Sequence, residues 1–318
     1  MATEIHLLSS PRWKDYELLD SGDGLKLERF GPYTFVRPEV QALWKRSLAA
    51  SAWDSAHALF QPSGEESGGH WAFKKKVPEQ WEMKYTLSLS ASSQAGTSPD
   101  ENDQELQFSV MTTPGRHLGV FPECASNWDW TRELIFNRER ASSPPEKPLN
   151  ILNLFGYTGL ATLACAAAGA KVTHVDASRK SVSWAHTNQD LSGLSGKPVR
   201  WVVDDALKFA EREARRGVKY DGILLDPPKF GRGPKGEIWE IYKSLPQLLH
   251  ACQALLSDHP LFVVLTVYAV KLPAIHANFA LAEMMKDYGG DIECGELVTE
   301  EKSAGRLLSQ AVYARWRS

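Results

Sequence analysis

The sequence L-N-I-L-N-L-F-G-Y-T-G at residues 149–159 decides the fold of this chain. Its first half is apolar and indicates a buried strand, and its second half is a glycine-containing turn. An alanine-rich segment follows at residues 160–168 and predicts a helix, after which Gly169 stands where glycine commonly ends helices. Residues 171–176 then indicate a second strand that ends at Asp176. The stretch as a whole predicts a βαβ unit.

This unit has two features that suit a nucleoside-containing cofactor. The turn at residues 156–159 presents free backbone N–H groups at a helix N-terminus, where anionic groups bind well. Asp176, at the end of the second strand, is placed to accept hydrogen bonds from both hydroxyls of a ribose. The turn lacks the G-x-G-x-x-G pattern of dinucleotide sites, because Tyr157 and Thr158 interrupt it. A nicotinamide oxidoreductase is therefore disfavoured.

The rest of the C-terminal part alternates between strands and helices. This order is typical of an α/β fold, a doubly wound and largely parallel sheet with helices on both faces. Ser178 is placed as an N-cap residue for the second helix. We predict strands at residues 199–203, 220–226, 261–267, 291–298 and 307–316, and helices at residues 178–191, 206–216, 238–256 and 272–288.

Residues 1–140 differ in composition and predict a small β-rich N-terminal domain, followed by a second domain at residues 149–318. Seven of the 11 tryptophans lie in the first region, and we interpret most of them as core residues. Further predictions for this region are strands at 25–30, 84–89 and 106–111, helices at 41–60 and 128–137, polar loops at 61–69 and 91–104, and a Ser-Ser-Pro-Pro linker within 141–148.

The composition excludes several classes of protein. The formal charge is −3 over 318 residues, so any contact with nucleic acid must come from a local basic patch. The four cysteines show no zinc-type spacing and no disulfide framework, which predicts neither a metal nor an oxidising compartment. No secretory leader and no membrane-spanning run is recognisable, and we expect a cytoplasmic protein. The oligomeric state is not indicated.

Two motifs carry a resemblance to a known family. D-P-P-K-F at residues 226–230 resembles motif IV of class I S-adenosylmethionine-dependent methyltransferases that act on nucleobases. N-L-F-G-Y-T-G at residues 153–159 resembles their motif I, with Asn153 where many members carry an acid. Residues 149–318 thus resemble the bacterial large-subunit ribosomal RNA methyltransferases of the cytosine-5 and N7-guanine types. The resemblance implies a Rossmann-like sheet with an antiparallel last strand, S-adenosyl-L-methionine as cofactor, and ribosomal RNA as partner.

The resemblance also assigns cofactor-binding residues. The first turn would seat the methionine part, Asp176 the ribose, and Asp205 with the N–H of Ala206 the edge of the adenine. Asp204 is an alternative to Asp205, which itself could instead be only a helix N-cap. The full predicted set is Asn153, Phe155, Gly156, Tyr157, Thr158, Gly159, Asp176, Ala177, Ser178, Asp205, Ala206 and Asp226.

Catalytic and substrate-binding residues are expected beside motif IV. Asp226 would hold an amino group of the acceptor, Pro227 and Pro228 would fix the turn, and Phe230 would stack on a base turned out of its helix. A basic patch would contact phosphates. Its predicted members are Lys229, Arg232 and Lys235 after motif IV, and Lys302 and Arg306 in the loop 299–306, for which a solvated hairpin is an equal alternative.

The expected acceptor atom is a ring or exocyclic nitrogen. Cytosine-5 methylation needs a cysteine nucleophile, which family members carry in a T-C-S-type turn after the fifth strand. Here Val267 stands at that position. Cys124, in the segment 119–124, is the one thiol expected near the pocket, and we predict no catalytic role for it. Contact of Phe121 or Trp128 with the site is left open.

Three other functions are weighed against this one. A methyltransferase of small molecules or protein side chains would use the same cofactor, and the basic loop and the tryptophan-rich N-terminal region speak against it. A cofactor-binding module without catalysis would not need an intact D-P-P-K-F motif. An oxidoreductase would need the missing glycine pattern.

Overall fold

The fold is seen in a computed structural model, which describes residues 4–63, 68–89, 102–141, 147–268 and 270–318. Most of the predicted polar loop at 91–104 and of the linker at 141–148, and part of the loop at 61–69, lie outside the described residues. The N-terminal region contains β1 (Ile5–Ser9), β2 (Tyr16–Gly22), β3 (Leu25–Phe30), β4 (Tyr33–Pro38), α1 (Ala50–Asp54), β5 (Ala58–Pro62), β6 (Gly69–Phe73), β7 (Trp81–Leu87), β8 (Gln104–Val110), a 3₁₀ turn (Pro122–Cys124) and α2 (Ala125–Ala141).

The C-terminal part follows the predicted alternation closely. Ser178 caps its second helix as expected, accepting a hydrogen bond from the N–H of Ser181. The elements are β9 (Asn150–Leu154), α3 (Leu160–Ala167), β10 (Lys171–Asp176), α4 (Arg179–Leu191), β11 (Val199–Val203), α5 (Ala206–Arg215), β12 (Gly222–Leu225), β13 (Phe230–Arg232), β14 (Ile238–Glu240), α6 (Ile241–Gln253), β15 (Phe262–Val267), α7 (Ala274–Met284), β16 (Asp291–Glu300) and β17 (Leu307–Arg317).

One eight-stranded sheet forms the centre of the molecule, in the order β1-β16-β17-β15-β12-β9-β10-β11. Strands β11, β10, β9, β12 and β15 are parallel, and β17 is antiparallel to both β15 and β16. This confirms the α/β class and the antiparallel last strand. Because the parallel strands share a direction, the residues after β9, β10, β11, β12 and β15 all meet at one carboxyl edge.

The N-terminal region contributes one strand to this sheet, and its apolar side chains pack against the C-terminal part. Strand β1 pairs in parallel with β16, whereas β2 to β6 form a separate five-stranded sheet and β7 and β8 a hairpin. One apolar cluster joins Phe108 and Trp128 of this region to Leu160 and Leu163 of α3. The division at residues 140 and 149 stays a prediction, and the two parts are held together by this common core. All seven N-terminal tryptophans are buried or half-buried, as a role in the core requires.

Two predicted helices are corrected by the structure. The predicted helix at 41–60 is wrong, since α1 covers only five residues and β5 begins at Ala58. The carboxylate of Asp20 accepts hydrogen bonds from the N–H groups of Ser47 and Leu48, which holds that segment in an irregular conformation. The predicted helix at 238–256 is too long at both ends, because its first three residues form β14, which pairs with β13 as a short hairpin, and α6 spans Ile241–Gln253.

Candidate functional site

A cavity of about 1180 Å³ lies at the carboxyl edge of the sheet. One wall comes from the turns after β9, β10, β11, β12 and β15, and the opposite wall comes from the N-terminal region. The cavity is large enough for a nucleoside-containing cofactor together with part of an acceptor. Its lining includes Met111, His117, Phe121, Phe155, Tyr157, Asp176, Ala177, Ser178, Arg179, Lys180, Trp184, Asp204, Asp205, Ala206, Asp226, Pro228, Arg232, Trp239 and Tyr268.

The turn after β9 has an unusual backbone. Phe155 and Tyr157 adopt positive φ angles of 59° and 49°, and Gly159 has a φ of 88°. Such conformations in non-glycine residues are strained and persist where the surroundings enforce them, often at ligand-binding sites. Here the N–H of Gly156 donates to the carbonyl of Val175 at 3.0 Å and the N–H of Tyr157 donates to Asp176, which fixes the backbone of the turn. A Cβ at position 156 would collide with the ring of His174, so only glycine fits there.

Asp176 is the last residue of β10 and lines the cavity. Its Oδ2 accepts a hydrogen bond from the N–H of Tyr157 at 3.0 Å, and its Oδ1 accepts one from Ser178 at 2.8 Å. Burial raises the pKa of this carboxyl group above its ordinary value, and the two N–H donors act against that rise. A carboxylate has about four lone-pair positions, so two are left for hydroxyl donors in the cavity.

The structure distinguishes Asp204 from Asp205, the two candidates after β11 for contact with the adenine edge. Asp204 forms an ion pair with Arg212 and accepts the N–H of Asp205. Asp205 is the N-cap of α5, where its Oδ1 accepts a hydrogen bond from the N–H of Lys208 at 2.9 Å. Both residues line the cavity together with Ala206. Asp204 is therefore already engaged by a cation, while Asp205 has one carboxylate oxygen outside its cap hydrogen bond.

Some predicted cofactor residues lie beneath the cavity surface. Asn153 is buried, and its amide donates to the hydroxyl of Thr162 at 2.9 Å, which in turn contacts His174 Nδ1 at 2.9 Å. Thr158 is buried as well and donates from its hydroxyl to the carbonyl of Gly119 at 2.7 Å. Neither side chain lines the cavity. In this geometry Asn153 and Thr158 support the turn from behind.

The D-P-P turn brings a carboxyl group to the cavity floor. Oδ1 of Asp226 is buried and has no hydrogen-bond partner among the described residues. Burial raises the pKa of Asp226 to about 7, and the negative charge of Glu123 acts in the same direction. The carbonyl of Pro228 accepts a hydrogen bond from the indole of Trp239 at 2.7 Å, and Pro227 is buried. Asp226 is one of the residues that line the cavity, and an unpartnered buried carboxyl oxygen in such a residue is typical of a ligand-binding group.

Phe230 differs in position from what motif IV led us to expect. It begins β13, and its side chain is 52% exposed. It is not part of the cavity lining, whereas Pro228 and Arg232 on either side of it are. The side chain of Phe230 is therefore presented on the outer surface of the hairpin, beside the cavity mouth.

The predicted basic patch is only partly assembled. Arg232 lines the cavity, and Lys229 and Lys235 are exposed on the same hairpin. Lys302 instead forms an ion pair with Glu17 at 2.7 Å, and Arg306 pairs with Glu301 at 3.0 Å. The hairpin carrying them packs against β2 through hydrogen bonds from its N–H groups to backbone carbonyls. The expectation that Lys302 and Arg306 border the acceptor is thus corrected, because Lys302 pairs with Glu17 of β2 and Arg306 donates to the hydroxyl of Ser47, and neither residue lines the cavity.

Two cations that the sequence reasoning missed lie in the cavity wall. Arg179 and Lys180 open α4 directly after its cap Ser178, and both are exposed and line the cavity. Their place in the first turn of a helix after a parallel strand was a usable signal, because such residues stand at the carboxyl edge of the sheet. Together with Arg232 they place three cations in a cavity lining that also contains four aspartates, Asp176, Asp204, Asp205 and Asp226.

The N-terminal residues left open in the sequence analysis are now placed. Phe121 lines the cavity, whereas Trp128 is buried in the core against Trp13 and Tyr85. Cys124 lies close enough for its pKa to respond to Asp226. Burial raises the pKa of this thiol well above its ordinary value, and the negative charges of Asp226 and Glu123 act in the same direction. Cys165, Cys252 and Cys294 are buried core residues.

Two further observations concern the described part of the chain. Within it, no group of three or more His, Cys, Asp or Glu side chains is arranged to hold a metal ion. Of the helices in the described ranges, none combines the length and apolar character needed to cross a membrane.

Comparisons with known proteins agree with this geometry. No protein-family model matches the chain. The ribosomal RNA large subunit methyltransferase K/L of Shewanella frigidimarina (strain NCIMB 400) is 33% identical over 131 residues, which are 41% of this chain and 17% of that protein. The corresponding protein of Syntrophotalea carbinolica is 46% identical over 82 residues, 26% of this chain and 11% of that protein. The chain thus spans under a fifth of the length of these curated relatives.

Solved structures match over a much larger part of the chain. A chain from Streptococcus mutans covers 96% of this protein with a TM-score of 0.65 at 15% identity, which shows a common fold. The crystal structure of a SAM-dependent methyltransferase from Agrobacterium tumefaciens has a TM-score of 0.84 and 40% identity, covering 100% of this chain and 96% of that one. With this identity over the full length, the chain belongs to the family of S-adenosylmethionine-dependent methyltransferases.

Proposed function

We propose that this methyltransferase transfers a methyl group to a nitrogen of a base in ribosomal RNA. The observation that carries the proposal is Asp226, a cavity-lining residue whose buried Oδ1 has no hydrogen-bond partner in the part of the chain that the structure describes. Leaving a buried acceptor unsatisfied costs about 1–3 kcal/mol, so its retention points to a ligand donor. An N–H group on the edge of a base is such a donor, and motif IV is the part of the sequence that resembles base methyltransferases.

The cavity residues fit the cofactor of this family. We assign the strained turn at residues 155–159 to the methionine part and the two remaining lone-pair positions of Asp176 to the ribose hydroxyls. Asp205 and the N–H of Ala206 would hold the adenine edge, since Asp204 is paired with Arg212. When bound, S-adenosylmethionine supplies a methyl group on a sulfonium sulfur. The sulfur leaves as a neutral thioether, so no metal is needed. What the protein supplies is the alignment of the acceptor with that methyl group.

Asp226 would position the acceptor nitrogen and accept the proton that leaves it. In its ionised form the carboxylate accepts a hydrogen bond from an N–H of the base. As the new N–C bond forms, that N–H becomes more acidic, and a carboxylate with a pKa of about 7 is matched to receive its proton at physiological pH. A base within an RNA helix would have to be turned out to reach the cavity floor.

The chemistry of the thiols favours nitrogen over carbon as the acceptor atom. The thiolate, and not the thiol, is the nucleophile, and the raised pKa of Cys124 keeps its sulfur protonated. The other position where a thiol would be expected is occupied by Val267, which is buried at the end of β15. Attack by a base nitrogen requires no covalent intermediate with the protein.

Ribosomal RNA is favoured as the source of the base by two independent features. The names of the curated relatives state this substrate for proteins that are 33% identical over 131 residues and 46% identical over 82 residues of the chain. In addition, Arg179, Lys180 and Arg232 border the cavity of a protein whose overall charge is −3. Local cations on a chain of negative overall charge are the expected pattern for phosphate contacts. Acting on this substrate would place the protein in the cytoplasm.

The test is to map methylated nucleosides in ribosomal RNA from wild-type cells and from cells lacking the gene. We expect one position of large-subunit RNA to lose a methyl group from a base nitrogen, and the wild-type gene to restore it. A gene carrying Asp226→Ala should fail to restore it. Identical modification profiles in both strains would refute an RNA substrate and favour a small molecule or a protein side chain.

A further inference from the structure

One part of the cavity is lined by four aromatic side chains, which we term the ring cluster: His117, Phe121, Tyr157 and Tyr268. Phe121 lies at its centre, with ring centroids 4.9 Å from His117, 5.7 Å from Tyr157 and 5.4 Å from Tyr268. All four residues line the cavity. The cluster forms a continuous apolar surface contributed by three separate segments of the chain.

The ring cluster extends from the turn assigned to the cofactor to the neighbourhood of Asp226, which is assigned to the acceptor. Tyr157 belongs to the strained turn assigned to the methionine part of the cofactor. Tyr268 directly follows β15, which pairs with β12, and β12 leads into Asp226. Burial raises the pKa of Tyr268, and the negative charge of Asp226 acts in the same direction, as expected for neighbours at the sheet edge. A flat molecule lying on the cluster would have one edge at Asp226.

The separation of the rings decides how such a molecule can bind. Stacked aromatic systems lie about 3.5 Å apart, so a base inserted between two rings needs about 7 Å between them. Phe121 and Tyr268 have centroids only 5.4 Å apart, with an interplanar angle of 38°. They pack on each other and exclude a third ring from the space between them. The surface they share is therefore a platform on one side of the acceptor.

We propose that Tyr268 is the main acceptor-binding residue, on which the target base stacks with Phe121 as the supporting ring. The proposal rests on the proposed function, because it takes the acceptor to be a nucleobase. It gives Tyr268 the part that motif IV alone would assign to Phe230, whose half-exposed side chain lies outside the cavity lining. It also gives the N-terminal region a role, since His117 and Phe121 complete the platform.

The decisive variants are Tyr268→Ala, Tyr268→Phe and Phe230→Ala, with Phe279→Ala as a control at an exposed aromatic on α7. Stacking of a base on an aromatic side chain contributes about 1–3 kcal/mol, which at about 1.4 kcal/mol for each factor of ten is about 5- to 150-fold. We expect Tyr268→Ala to lose kcat/KM for unmodified large-subunit RNA by that factor. Tyr268→Phe keeps the ring and should restore most of it.

Two binding measurements separate stacking from a structural defect. Calorimetry with S-adenosylhomocysteine should give the same Kd for wild type and Tyr268→Ala, which shows that the cofactor half is intact. Nuclear magnetic resonance titrations with each of the four ribonucleosides, in the presence of S-adenosylhomocysteine, should show binding that Tyr268→Ala abolishes and Phe279→Ala preserves. A loss of cofactor affinity equal to the loss of activity would overturn the proposal.

The same measurements distinguish failure of this proposal from failure of the proposed function. If wild type methylates no RNA but Tyr268→Ala still abolishes nucleoside binding, the platform stands and the RNA substrate is wrong. If wild type methylates RNA and Phe230→Ala, not Tyr268→Ala, loses kcat/KM, the platform is overturned and the RNA substrate stands. Nucleoside binding that is unaffected by Tyr268→Ala also overturns the platform.

Discussion

The replacement Asp226→Asn should stabilise the protein while it inactivates the enzyme. In the folded chain the pKa of Asp226 is raised to about 7, against an ordinary value of 3.8. The folded state therefore disfavours the ionised form. Stability contributed by the protonated group is present below pH 3.8, is lost progressively as the pH rises, and is fully lost above about pH 7. Asparagine has a similar shape and no charge, so the Asn variant does not lose this stability as the pH rises.

The size of the effect follows from the pH interval. Each pH unit between the two pKa values corresponds to about 1.36 kcal/mol, so the stabilisation by Asn should be about 3 kcal/mol larger at pH 8 than at pH 5. The assay is urea unfolding of both proteins at the two pH values. Asp258→Asn, which changes an exposed carboxylate outside this cavity, is the control and should show no such difference.

Turnover provides the second half of this prediction. An amide cannot take up the proton that leaves the acceptor nitrogen, so kcat should fall by about 100-fold or more, with little change in cofactor affinity. In the wild type, kcat should rise with pH through a midpoint near 7. A stabilisation that is equal at pH 5 and pH 8, or an Asn variant with full turnover, would refute the reasoning about Asp226.

Three other predictions concern the cofactor, the RNA and the thiol. Asp176→Ala should weaken binding of S-adenosylmethionine by about 1.5–3 kcal/mol in calorimetry, and an unchanged Kd would remove Asp176 from the site. Neutralising Arg232 and Lys235 together should lower RNA affinity and reduce the salt dependence of binding by up to about two phosphate contacts, with no change in cofactor affinity; an unaltered salt slope would contradict phosphate contacts by these two residues. Cys124→Ser should keep its methylation activity, and RNA containing 5-fluorocytosine should form no covalent adduct; either a dead variant or a stable adduct would indicate carbon methylation.

The sequence alone was enough to predict that three aspartates lie at one edge of the sheet. Asp176, Asp205 and Asp226 each follow a parallel strand, and the carboxyl ends of parallel strands meet at one edge, so strand prediction was enough to collect them in one cavity. The N-cap position of Asp205 was also predictable, because capping depends on residues adjacent in the chain.

Features that depend on distant contacts could not be predicted. The ring cluster joins His117 and Phe121 to Tyr268, which is about 150 residues further along the chain, and no local pattern marks that contact. The loop with Lys302 was expected at the carboxyl edge and does leave β16 in that direction. Which neighbour it meets there, however, is decided by its packing on β2.

The central claim, methyl transfer to a nitrogen of a ribosomal RNA base, is tested most directly with purified components. Large-subunit RNA from cells lacking the gene is incubated with the protein and S-adenosylmethionine carrying a labelled methyl group, then digested to nucleosides and analysed by mass spectrometry. We predict a single labelled nucleoside with its methyl group on a base nitrogen, absent when Asp226→Ala replaces the wild type. A label on carbon-5 of cytosine, or no label in RNA from a protein that binds the cofactor, would contradict the claim.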